Sequence, residues 1–114
     1  MQFLILIRDK SSRKFIFSSL LKDGDYSWFK IEAFFREQWT REFFKGKRVG
    51  HIFSRDDVLL YENFFDHLRD AVKSWQDQNP RYRVDAINHV LTEFNMPFEL
   101  RLFELGQGDA ENDT

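Results

Sequence analysis

At 114 residues, with a formal charge of −2, 42% hydrophobic and 32% charged residues, the chain has the size and balance of a single globular domain. The absence of cysteine excludes disulfides, Cys-ligated zinc, iron–sulfur clusters and thiol catalysis. The longest apolar run, Phe3 to Ile7, is far too short for a membrane span and lacks a signal peptide's basic leader and cleavage site, so a cytoplasmic protein with no membrane partner is expected.

Phe3-Leu4-Ile5-Leu6-Ile7 is short, continuous and partly β-branched, the pattern of a central strand covered on both faces. After the polar break Asp9 to Arg13, apolar residues return over Lys14 to Leu21, so the first twenty residues read as a β-hairpin. Lys22 to Asp25 is turn chemistry. Ser27 is then placed to cap a helix from Trp28 to about Lys45, with Gly46 just past its end. Trp28, Ile31, Phe35 and Trp39 share one face of that helix, although Phe29, Ile31 and Ala33 also alternate as a third strand would.

Lys47 to Phe53 reads as a basic connecting loop or an edge strand. Ser54, followed by Asp56 and Asp57, marks a helix start, because a serine hydroxyl and early acids satisfy the first amide groups and the helix dipole. Val58, Tyr61, Phe65, Leu68, Val72 and Trp75 step along one stripe until Asn79-Pro80 ends it. Arg83 to Asn95 forms a third helix, with Val84, Ile87, Val90, Leu91 and Phe94 opposite Asp85, His89, Thr92 and Glu93. Phe98 to Leu102 alternates as a half-buried strand. Residues 106 to 114 carry acids and glycines and read as a disordered tail, leaving 1–105 as the folded domain. The order β-β-α-(β)-α-α-β is that of an α+β protein with a small, mostly antiparallel sheet packed against about three helices.

No GxxxxGK[ST], GxSxG, HExxH, GxGxxG or calcium-loop pattern occurs, and no cofactor is expected. Asp85, His89 and Glu93 stack at four-residue intervals, as metal ligands or a proton relay would, but they are also what any solvated helix face contains. Arg83 and His89 resemble the arginine-to-histidine spacing of HEPN-type ribonucleases over seven residues. That resemblance implies an RNA-processing protein built as an all-helical bundle.

Charge divides along the chain. Residues 1–53 hold eleven Lys and Arg against six Asp and Glu, and residues 54–114 hold six against thirteen. Arg36, Arg41, Lys45, Lys47 and Arg48, interleaved with Trp39, Phe43 and Phe44, have the chemistry of single-stranded nucleic-acid binding, diluted by Glu37 and Glu42. Phe29 and Phe44 fall off the apolar stripe of the first helix, and Leu59 sits among Glu62, Asp66 and Asp70 rather than with Tyr61. An apolar patch rimmed by charge is what an interface presents. The expectation is a non-enzymatic protein-binding module, of inhibitor, immunity or adaptor type, contacting another protein or a second copy of itself through Phe29, Phe44, Leu59, Glu62, Asp66 and Asp70; the alternative is nucleic-acid binding through the basic 36–48 segment.

Overall fold

The computed structural model describes residues 2–21, 26–73 and 80–105. Trp75, Asn79, the turn at 22–25 and the acidic tail lie outside them. The elements are β1 (Gln2–Asp9), β2 (Phe15–Leu21), α1 (Tyr26–Phe44), α2 (Arg55–Lys73), α3 (Pro80–Glu93) and β3 (Phe98–Leu105). The three strands form one antiparallel sheet in the order β2-β1-β3, with Ile5 opposite both Ser19 and Leu102. This is an α+β fold. The alternation at Phe29, Ile31 and Ala33 belongs to a helix, and residues 47–53 form a loop.

β1 lies in the centre, as its apolar run predicts, but it is covered on one face only. Ile5 and Ile7 are fully buried under the helices, while Leu4 and Leu6 point to the opposite face and are only half-buried. Because α1, α2 and α3 contribute to a single apolar layer with Ile5, Ile7 and Leu100, no helix among the described residues covers the second face. Strand pleating therefore splits the continuous run into a core side and an open side.

Local chemistry explains the element ends. Ser54 accepts the Asp57 amide on its Oγ at 3.1 Å, the expected cap of α2. Ser27 is not a cap. It lies within the first turn of α1, buried, and its Oγ donates to the Leu20 carbonyl at 3.0 Å, tying the helix start to the edge of β2. α3 begins three residues earlier than its apolar pattern suggests, since Pro80 suits a first helical position where no amide is needed. Asn95, at φ 58°, closes α3 through bonds from Asn95 N to Thr92 O and from Met96 N to Leu91 O. Gly46, at φ 75°, does the corresponding left-handed turn after α1.

The expected stripe on α1 is buried, and so is that on α3 except for Phe94, which is half-buried just past the end of the helix. That on α2 is rotated: Phe64, Leu68, Ala71 and Val72 form its buried side, Tyr61 and Phe65 are half-buried, and Val58 is exposed. Three- and four-residue steps from Val58 predict a full-length stripe, but the first turns of α2 lie beyond the core and have nothing to pack on.

Ile5→Asp should abolish cooperative thermal unfolding, because it buries a carboxylate without a cation and costs several kcal/mol, about 3–5. Melting by circular dichroism within a degree or two of wild type would disprove the central placement of Ile5.

Candidate docking site

α1 follows β2 back along the sheet. Its Phe34 ring meets Phe17 at 5.4 Å, and Phe35 meets Phe98 at 6.0 Å, which places the middle of the helix over the far end of the sheet. The nine residues of α1 after Phe35 carry it roughly 13 Å further. Trp39 still finds Phe64 and Phe94, but beyond it the ring contacts are among α1, α2 and the loop that joins them.

The overhanging end of this helical hairpin is held by Tyr61. The Trp39 indole N–H donates to the Tyr61 carbonyl at 3.1 Å, and the Thr40 and Tyr61 hydroxyls are 3.0 Å apart. The Tyr61 ring packs on Phe43 at 4.3 Å, and Phe53 folds the connecting loop back by stacking on Phe43 at 4.4 Å. These rings satisfy one another and form a small satellite core away from the sheet.

What they leave outside is apolar, with charge of both signs around it, since Glu42, Asp56, Asp57 and Glu62 are also exposed at these helix ends. Phe44, Val49, Ile52, Val58, Leu59 and Leu60 are all exposed at this tip, Ile52 at 90%. Lys45, Lys47, Arg48 and Arg55 surround them, and none forms an ion pair with a described carboxylate. Sequence periodicity missed Val49, Ile52 and Leu60. Two lie in a loop with no period, and Leu60 becomes exposed only because α2 starts beyond the core.

The residues singled out by sequence separate in space. Phe44 and Leu59, 49% and 44% exposed, belong to the same tip. Glu62, Asp66 and Asp70 continue from Leu59 down the exposed flank of α2 at helical spacing, so Glu62 adjoins the patch and Asp70 is about 16 Å along the axis from Leu59. Phe29, 55% exposed, sits in the first turns of α1, about 22 Å along that helix from Phe44.

The basic segment separates too. Arg36 binds Glu32 at 3.4 Å and lies over the Phe65 ring, and Arg41 binds Glu37 at 2.6 Å. Lys45, Lys47 and Arg48 alone of the five stand at the tip without a described carboxylate. Of the aromatic residues between them, Trp39 is buried and Phe43 is engaged by Phe53 and Tyr61, which leaves Phe44 as the exposed ring.

On α3, Asp85, His89 and Glu93 are exposed, and no group of three potential ligands capable of holding a metal occurs among the described residues. Glu93 instead meets His67 of α2 at 3.4 Å. Arg83 is buried with its guanidinium 4.7 Å from the centre of the Trp28 ring, on the core side of α3, whereas His89 faces outward. The structure does not bring this pair together, and a sheet replaces the all-helical bundle that the ribonuclease resemblance implies. Between α3 and β3 lies an open cavity of about 260 Å³ bordered by Arg81, Asp85, Asn88 and Arg101. Its size is below the roughly 300–1,000 Å³ of small-molecule sites. There the Asn88 side chain accepts the Leu100 amide at 2.7 Å and donates to the Leu100 carbonyl at 3.0 Å, sealing the outer edge of β3.

No protein-family model, curated protein or solved structure matches the chain. Fold and surface define an α+β protein with one helical layer and a projecting apolar tip rimmed by charge of both signs; among the described residues no helix is long and apolar enough to cross a membrane.

Phe53→Ala should release the loop at 45–54, lowering the free energy of local opening by about 1–2 kcal/mol with little effect on global melting. Unchanged amide-exchange protection in that loop would show that the ring stack does not hold it.

Proposed function

We propose that this chain is a non-enzymatic protein-binding module that docks through the tip of its α1–α2 hairpin. The observation that carries this reading is the convergence there of six exposed apolar side chains with four cations that have no described partner. A Leu or Ile side chain gains about 25 cal/mol per Å² of apolar area when a partner removes it from water, and such anchors dominate binding energetics. Charge of both signs rims these residues, Lys45, Lys47, Arg48 and Arg55 alongside Glu42, Asp56, Asp57 and Glu62, and a partner with a complementary arrangement would meet it faster and in one register. An inhibitor, immunity-type or adaptor protein would use such a surface.

Nucleic-acid binding is the competing reading, favoured by Lys45, Lys47 and Arg48 at the tip. Affinity capture from cell extract separates the two. Leu59→Lys should keep a native circular dichroism spectrum and lose a nuclease-resistant protein partner, whereas the combined Lys45→Ala, Lys47→Ala and Arg48→Ala change should mainly slow association. Nuclease-sensitive, steeply salt-dependent binding abolished by the triple change would establish nucleic acid as the ligand. Unfolding of Leu59→Lys would place that leucine in the core and overturn the docking reading.

A further inference from the structure

We infer that the open face of the sheet is a binding surface for single-stranded DNA, with bases stacked on Phe15 and Phe103 and phosphates held by Arg101, Lys10 and Arg13. Strand register assembles this face in rows. Leu4 lies between Leu20 and Phe103, Leu6 between Ser18 and Arg101, and Arg8 between Phe15 and Glu99. Phe15 and Phe103 are 52% and 40% exposed, and neither ring packs on another aromatic ring among the described residues. They stand about 13 Å apart along the strands and about 10 Å apart across them, so each is placed to take a different base of an extended strand.

Charge on this face is positive. Glu99 is the one carboxylate that the register of the described residues puts there, and Arg8 answers it at 3.7 Å. Arg101, 5.8 Å from the centre of the Phe103 ring, pairs with no described carboxylate. The same is true of Lys10 and Arg13 in the adjoining β1–β2 turn, where the Asp9 carboxylate is taken by the Ser11 and Ser12 amides. The exposed acids of α2 and α3, from Asp56 to Glu93, belong to the helical side. A second copy of this face would set its cations against themselves, whereas a polyanion neutralises them.

Exposed rings beside unpaired cations suit a single strand, because every base offers a π-face and every linkage a charge. The floor between the rings selects DNA. Leu4, Leu6 and Leu20 offer apolar area to deoxyribose and to thymine methyl groups. Ser18 supplies the one side-chain hydroxyl that the register puts on this face, so ribose 2′-hydroxyls covered there would lose water without gaining partners.

Fluorescence anisotropy of a labelled oligothymidylate of about 12 nucleotides tests this. Wild type should bind with a Kd of about 1–100 µM near physiological salt, and log affinity should fall against log salt with a slope of about −2, the value for three phosphate contacts on a single strand. Phe15→Ala and Phe103→Ala should each weaken binding about tenfold, and Arg101→Ala should make the slope shallower by about 0.7, while circular dichroism stays native. Leu59→Lys and the combined Lys45→Ala, Lys47→Ala and Arg48→Ala change should bind as wild type does, so this face and the hairpin tip can fail independently. No binding in that range, oligouridylate or duplex DNA bound at least as tightly, or binding that survives Phe103→Ala and is lost in the tip variant would overturn the inference. Should a phenylalanine variant fail to fold, the salt slope of Arg101→Ala decides.

Discussion

One-sided burial of β1 is the constraint from which the rest of the architecture follows. Ile5 and Ile7 are completely enclosed by residues of three helices and by Leu100 of the neighbouring strand, and this contact gathers both chain ends into one core. A three-stranded sheet is narrow, and once α1, α2 and α3 have buried their stripes on it the apolar area of one face is spent. The other face keeps Leu4, Leu6, Leu20 and Phe103 at its surface or half-covered by their neighbours. The protein is thus asymmetric through its thickness, saturated beneath the helices and open opposite them.

A second asymmetry runs along its length. Phe35, midway along α1, already packs over Phe98 at one end of the sheet, so the residues of α1 beyond it run past the sheet and the end of the α1–α2 pair must stabilise itself. The chain does so with aromatic rings and one tyrosine. Tyr61 offers its carbonyl to Trp39, its hydroxyl to Thr40 and its ring to Phe43 and Phe65. Aromatic side chains suit this position because each covers a large area with few rotatable bonds. Around this ring cluster Leu59, Leu60, Ile52 and Val49 are exposed to solvent. Charged residues of both signs stand around them.

Side-chain hydrogen bonds from the helices reach both edges of the sheet. Asn88 acts as a single residue of a fourth strand on β3, and Ser27 covers only one carbonyl on β2. The helical layer is therefore tied to both edges, but unequally.

The sequence by itself determined the element order and most of the core. Leu21, Trp28, Ile31, Phe35, Val84, Ile87 and Leu91 are legible because helical or strand periodicity follows directly from backbone geometry, and Ser54 and Gly46 mark boundaries through local bonding. Phe44 and Leu59 are visible as apolar residues out of phase with their helices. Tertiary structure alone decided the rest. Periodicity says which residues share a face but not whether another element reaches that face. For that reason the open side of β1, the exposure of Val58 and Leu60 and the wide separation of Phe29 from Phe44 all depend on how far each helix extends over the sheet.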